Sequence, residues 1–132
     1  MERVHFILED GFRGIFVVEE DIGATPAPRN SDGTWIYKMN AGARIRTQSL
    51  EPLRQWHETG ASYADGVEIP FSAIPPSAPP LDSTTKLRPL FATATRHYYL
   101  VGTEKEFLAA TRDAVNITYG HAPPAPKTKP HE

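Results

Sequence analysis

Five histidines, 16 carboxylates and 14 Lys and Arg side chains are the raw material for chemistry in this chain of 132 residues. Spacing decides what they can do. His5, His57, His97, His121 and His131 stand at no interval, such as H-x-H or H-x-x-x-H, that would set two imidazoles on one metal ion. His5 and His97 fall in strand-like stretches, opposite the largest apolar neighbours, so each reads as a partly exposed strand histidine. Acyl transfer would want a serine on a G-x-S-x-G elbow, and the chain has none. With no cysteine there is no thiolate zinc site, no disulfide framework and no thiol nucleophile. Glu19-Glu20-Asp21 lacks the D-x-[DN]-x-[DN]-G order that wraps calcium and reads as a solvated strand end. A phosphate cradle at Gly11-Phe12-Arg13-Gly14 would need a helix after it, and a strand pattern follows instead. Gly11 is expected to supply a positive φ, and Gly14 a bulge or a close approach. The sequence therefore nominates no catalytic residue, no metal ligand and no cofactor.

Two groups of polar residues remain. Arg44 and Arg46 alternate along one strand, and Lys38 lies on a neighbouring one. Together they make a candidate interaction surface for an anion or an acidic partner; the plainer reading is a solvated face with cross-strand pairs to acids. Thr103-Glu104-Lys105-Glu106 matches the S/T-x-x-E capping box. There the threonine hydroxyl accepts from the amide three residues on, and the glutamate reaches back to the threonine amide. Phe107, Leu108, Thr111, Ala114 and Val115 follow at helical spacing, which predicts an amphipathic helix of roughly three turns. An acid pair at Glu104 and Glu106 would point apart on that helix.

The elements that must position these residues are mostly strands. Val4–Leu8 alternates, with Val4, Phe6 and Leu8 on one face. Arg13–Glu19 is apolar on both faces, as a covered central strand would be. Asp10-Gly11 between them suggests a hairpin. Asp21–Gly33 is loop chemistry. Thr34–Met39 points Trp35, Tyr37 and Met39 inward, and Ala43–Thr47 sets Ile45 against Arg44 and Arg46. Ser49 is placed to cap one short helical turn within 49–58, with Pro52 tolerated in its first turn. Asp65-Gly66 reads as a tight turn between short strands. Five prolines between Pro70 and Pro80 exclude a central strand or helix there. Leu87–Phe91 and Arg96–Val101 are the last strands. Residues 121–132 read as a proline-rich flexible tail. The runs at 75–80 and 122–126 have the composition of ligands for aromatic grooves, though loops and tails of this kind are common.

Three stretches taken together resemble a family of small uncharacterised bacterial domains: "FILEDGFRG" (Phe6–Gly14), "DGTWIYKMNAGARIRT" (Asp32–Thr47) and "YYLVGTEKEF" (Tyr98–Phe107). Members open with F-L-x-P-E-G-[FY]-x-G, continue with G-x-x-x-[YF]-x-I-P-x-x-G-x-x-x-T, and later carry an aromatic-rich V-G-T-x-x-E-[FY]. Order and spacing agree across roughly residues 4 to 110. This chain departs at Glu9-Asp10, where the family has Pro-Glu, and at Met39-Asn40, where it has Ile-Pro. The shared residues are turn glycines and core aromatics, so the resemblance implies a fold and assigns no activity. Some members look like exported lipoproteins, a class for which this chain has no lipid-accepting cysteine.

The length fits one domain, residues 1–120, with a proline-rich loop at 70–85. A net charge of −2 offers nothing to nucleic acid or an anionic membrane. No stretch approaches the roughly 20 apolar residues of a membrane span, and no secretion signal is evident, so the expected location is cytoplasmic. The expected fold is mainly β, or α+β. It is an antiparallel sandwich or part-open barrel of six to eight strands with one C-terminal helix. The expected function is a non-enzymatic protein-binding module whose partner is another protein. A structural component of a larger assembly is the alternative, and an enzyme with a site gathered from distant residues stands behind that.

Overall fold

The computed structural model describes residues 2–40, 42–72, 80–112 and 116–123. Seven strands and two helices follow in chain order: β1 (Glu2–Leu8), β2 (Gly14–Glu20), β3 (Trp35–Lys38), β4 (Arg44–Thr47), α1 (Glu51–Arg54), β5 (His57–Tyr63), β6 (Lys86–Ala92), β7 (Arg96–Gly102) and α2 (Glu104–Arg112). They form two sheets, ordered β3-β1-β5 and β4-β2-β7-β6. The apolar alternation of β1 and β2 explains the stacking. Val4, Phe6 and Leu8 face Phe16 and Val18 across the interior, and all five are buried. Phe6 lies at the centre, with its ring centroid 4.9 Å from that of Tyr99, 5.7 Å from Tyr37 and 5.8 Å from Phe16. Aromatic packing of this kind contributes beyond area burial. The other face of β2 is equally apolar, and a second cluster covers it. Ile15, Val17, Tyr98 and Leu100 pack there with Phe107 and Ala110 of α2. The mainly-β expectation, with two sheets, no closed barrel and one helix near the C-terminus, is therefore the observed class.

The direction of pairing differs from expectation. β1 runs parallel to both β3 and β5, and β2 runs parallel to β4; only β2–β7 and β6–β7 are antiparallel. Alternation identifies the buried face of a strand and is silent on which way its neighbour runs. The β1–β2 hairpin is also absent. The turn at Glu9–Phe12 is real, with the Phe12 amide donating to the Glu9 carbonyl at 3.0 Å. Phe12 then drops into the core, 5.9 Å edge-on to Phe16, and carries the chain across to the second sheet.

β5 was unexpected. The sequence puts His57 and Glu58 in the helical turn, but that helix ends at Arg54, and HETGASY forms an edge strand with only Ala61 fully buried. A polar edge strand has little alternation to betray it. Ser49 is not the cap residue of α1. Leu50 holds that position, while the Ser49 hydroxyl accepts from the Glu51 amide at 3.1 Å. The Asp65-Gly66 turn forms as expected, with Gly66 at φ +94° and the Tyr63 amide bonded to the Val67 carbonyl.

The expected flexible tail does not begin at His121. His121 exchanges two backbone hydrogen bonds with Arg13, and the Gly120 amide donates to Ile15. Glycine permits this approach. A Cβ on Gly14, at φ +110°, would sit 2.5 Å from the Gly120 Cα, and one on Gly120 would strike the Arg13 carbonyl oxygen. Close approach was one of the two readings of Gly14. Residues 124–132 of the tail and 73–79 of the proline-rich loop lie outside the described residues. Of that loop, Phe71 bridges to Leu87.

The capping box is formed in full. The Glu106 amide donates to Thr103 Oγ1 at 3.2 Å, and the Thr103 amide donates to Glu106 Oε1 at 2.9 Å. These bonds and the Arg13 guanidinium, 2.7 Å away, hold the Glu106 carboxyl below its ordinary value. α2 itself is shallow. No residue of it is fully buried, and Phe107 alone of its large side chains packs on the second cluster. Ala114 and Val115 lie outside the described residues.

Candidate functional site

Where the two sheets meet along β3 and β4, the loop after β2 crosses as a strap. The Pro28 carbonyl accepts from Ile36 of β3 at 2.8 Å, and the Thr25 carbonyl accepts from Gln48, just past β4, at 3.2 Å. Thr25–Pro28 therefore ties two sheet edges together, and a depression opens on each side of it.

The larger depression is a cleft of about 330 Å³. Pro26 and Ala27 of the strap, Trp35 and Tyr37 of β3 and Pro52 of α1 supply its apolar lining; Glu2, Gln48 and Gln55 supply polar groups. Trp35 and Tyr37 share a face because they stand two apart on a strand. Both polar atoms, Trp35 Nε1 and Tyr37 Oη, are cut off from bulk water and have no hydrogen-bond partner among the described residues. Tyr37 is only 1% exposed, and burial pushes its phenol up to about 12, so it stays protonated and able to donate. Unpartnered buried donors are rare, because each costs about 1–3 kcal/mol. The Arg29 guanidinium stacks 4.5 Å from the centre of the Trp35 ring and reaches the Glu2 carboxylate at 3.4 Å.

Two exposed apolar side chains flank this end of the sandwich. Trp56, next to Gln55, is 84% exposed, and Ile22 is 88% exposed. Ile22 sits in a turn whose Asp21 amide is bonded to Thr47, itself part of the cleft lining.

The smaller depression, about 170 Å³, is where two of the three basic candidates meet: Lys38 and Arg46 both line it. The single stripe expected of Lys38, Arg44 and Arg46 is not formed on one sheet, because β3 and β4 belong to different sheets. Arg44 and Arg46 turn instead toward Glu19 of β2, at 3.6 and 3.7 Å, and Arg96 of β7 joins them at 3.2 Å. Glu19, expected on a solvated strand end, has a side chain only 13% exposed beneath these three guanidiniums. Arg44 also lies 5.7 Å from the centre of the Tyr119 ring. Lys38 makes no ion pair among the described residues.

The histidines are dispersed. His5 Nε2 meets Ser62 Oγ at 2.9 Å, His57 Nδ1 meets the Gln55 carbonyl at 2.7 Å, and His121 is in the backbone pairing with Arg13. Burial, then the charges of Arg54 and His57, lowers His97. His5 and Glu58 line one shallow depression but bond elsewhere, Glu58 to Arg3 at 3.6 Å. Among the described residues no three His, Asp or Glu gather as a metal-binding group. His131 is outside them.

The buried Arg88 is structural. Its Nε donates to the Gly102 carbonyl and its Nη2 to Asp82 and the Thr84 carbonyl. Asp82, whose carboxyl Lys86 and the Thr84 amide hold well below the usual range, is also bonded through its own amide to Glu104. The proline-rich loop is thereby anchored to the start of α2.

Alternation makes Trp35 and Tyr37 inward-facing core, which is true of their rings. That their polar ends would lack partners depends on the strap and α1, which approach from elsewhere in the chain. Trp56 has a local signal only once the helix is known to end at Arg54: in extended chain its same-face neighbours, Arg54 and Glu58, are both charged.

The chain matches no protein family model and no curated protein. A crystal structure of a Bacillus anthracis chain, provisionally described as a lipoprotein, superposes with a TM-score of 0.44 at 10% identity, covering 98% of this chain and 86% of that one. No helix among the described residues is long and apolar enough to cross a membrane.

Proposed function

We propose that the protein is a non-enzymatic protein-binding module. Its contact surface is the end of the sandwich that carries Trp56, Ile22 and the mouth of the larger cleft. One observation carries this reading: a tryptophan left 84% exposed beside an apolar-lined cleft. Tryptophan is the side chain most often found carrying binding energy in protein interfaces, and exposing it to water alone is unfavourable. Membership in the bacterial family suggested by Phe6–Gly14, Asp32–Thr47 and Tyr98–Phe107 is proposed on those residues.

Edge-to-edge assembly, the alternative, finds less support. The strap occupies the β3 edge, Pro70–Ser72 bonds to Leu87 on the β6 edge, and the segment at Val67–Ile69 bonds to the end of β5. Covered edges oppose strand-by-strand association.

The test is a photo-crosslinker at position 56, compared with the Trp56→Ala, Ile22→Ser double variant as bait in an extract of the source cells. A protein crosslinked at position 56, retained by the wild type and lost by the double variant with an unchanged melting temperature, is the expected outcome. An identical set of retained proteins on both baits would count against this surface.

A further inference from the structure

We infer that Arg44, Arg46 and Arg96 form a binding site for a doubly charged phosphate group, as the free ion or a monoester. The inference goes beyond the protein-binding reading and rests on none of its residues.

Strand register gathers the charges. β2 lies between β4 and β7, and Glu19 stands opposite Arg46 on one side and Arg96 on the other. Arg44, two residues before Arg46, shares its face. Arg44 Nη1 and Arg46 Nε approach the same Glu19 oxygen, Oε1, at 3.6 and 3.7 Å, and Arg96 Nε approaches Oε2 at 3.2 Å. One carboxylate answers three guanidiniums, so the group keeps two positive charges in excess. Among the described residues no second acid pairs with any of the three. Glu20, next along β2, turns to Arg54 and the Leu50 amide, and the Asp21 carboxylate accepts from the Gly23 amide. Like charges held this close repel, and a dianion cancels the excess.

The donors that such an ion needs are free. Glu19 forms a buried floor, while the three guanidinium side chains above it are half exposed. At 3.6 and 3.7 Å, Arg44 and Arg46 make ion pairs with Glu19 and no hydrogen bond. Arg96 gives one long bond, from Nη1 to the Tyr98 hydroxyl at 3.5 Å. Each guanidinium carries five N–H donors in a fork that matches two phosphate oxygens. Glu19 also holds three long side chains together before any ligand arrives, which lowers the entropy cost of ordering them. The Tyr119 ring braces Arg44 from the flank.

Charge selects among anions. A carboxylate carries one negative charge and leaves one guanidinium unanswered, and so does each phosphodiester of a nucleic acid. A phosphate monoester, with its second ionisation at about pH 6, is close to doubly charged at neutral pH. Lys38 takes no part, because its strand belongs to the other sheet.

The experiment titrates the full chain with sodium phosphate at mildly alkaline pH, with ionic strength held constant by sodium chloride. The arginine Nε–H signals are followed by NMR and assigned through Arg44→Gln, Arg46→Gln and Arg96→Gln. The expected result is a saturable shift confined to these three arginines, half complete at about 1 mM or below. Arg46→Gln should weaken phosphate binding about tenfold, the equivalent of one charge-assisted hydrogen bond. It should not lower the melting temperature without phosphate, since an exposed ion pair contributes little. Arg3→Gln breaks an exposed pair with Glu58 on the other sheet and should leave phosphate binding unchanged. Glycerol phosphate identifies the source: equal shifts assign the site to monoesters, and shifts with inorganic phosphate alone assign it to the free ion. Shifts spread over all arginines, saturation by sodium acetate at the same concentration, or undiminished binding by Arg46→Gln would overturn the inference. Crosslinking at position 56 is indifferent to each of these results, so the two readings stand or fall separately.

Discussion

Two polar regions of this molecule are built in opposite ways. At Glu19 one carboxylate faces three guanidiniums, and Tyr119 lies beside Arg44. At the cleft, Tyr37 and Trp35 keep buried donors with no acceptor among the described residues. The first region is closed at its acid, since Glu19 is paired from three sides, and the half-exposed guanidiniums complete their solvation in water. The second is left incomplete: two donors are buried without an acceptor among the described residues, a cost that the packing around them must offset. Basic residues draw the eye in the sequence, yet Arg44 and Arg46, two of the three that suggest an interaction surface there, pair with Glu19 in the closed region.

The comparison can be broken most forcefully at Gly120. Its backbone lies against Arg13 and Gly14, and this seat holds Tyr119 next to Arg44. Gly120→Ala forces a Cβ into the Arg13 carbonyl and should destabilise by about 3 kcal/mol in urea unfolding. Loss of less than about 1 kcal/mol would mean that the 119–121 segment is not held as described. Next comes Glu19→Ala. It leaves three arginines without their shared acid, but they are half exposed, so the full penalty of a buried pair does not apply. About 2 kcal/mol is expected. A smaller loss at high salt would separate screening from packing.

How much of this was legible beforehand depends on range. Local chemistry was readable: the Thr103 and Glu106 box, the Gly11 and Gly66 turns and the inward faces of β1 and β2 all follow from neighbours within four residues. Arg44 and Arg46 were rightly placed on one face. What failed was non-local. Nothing in Val4–Leu8 says that its neighbours run parallel, that Lys38 belongs to another sheet from Arg44, or that Glu19 will be roofed by Arg96 from 77 positions away. The cleft is non-local throughout, since β3, the strap and α1 must converge before Tyr37 loses its access to water.

Thr103→Ala should sharpen the contrast at a third place. The box is closed, as Glu19 is, with Arg13 completing the glutamate. Its loss should cost about 1 kcal/mol, with Thr103→Ser nearly neutral. Because the Glu106 carboxyl is held below its ordinary value, its contribution is present above that value and fades as pH falls through the lower, folded one. The difference between wild type and Glu106→Gln should therefore shrink in acid, while that between wild type and Thr103→Ala should change little, because the Thr103 amide and Arg13 still hold the carboxylate in that variant.

The smallest effect, and the one of opposite sign, is expected from Tyr37→Phe. Removing a partner from a satisfied site leaves another group stranded, as at Glu19 or Thr103. Removing the Tyr37 hydroxyl strands nothing among the described residues, because none of them is bonded to it. The variant should be as stable as the wild type at neutral pH, or more stable by up to about 1 kcal/mol. Its pH profile adds an independent readout. The buried phenol has its folded value raised from 10.0 to about 12 by burial. Its contribution is intact below pH 10 and is lost as pH climbs toward 12. Burial raises Tyr99 as well, so alkaline unfolding persists in the variant, with a shallower fall across that window. Urea midpoints at pH 7, 10 and 11 measure both effects, within roughly 10–15% on each extrapolated stability. If Tyr37→Phe destabilises at neutral pH by as much as Thr103→Ala does, the hydroxyl has a partner inside the fold, and the distinction between a closed and an incomplete region disappears.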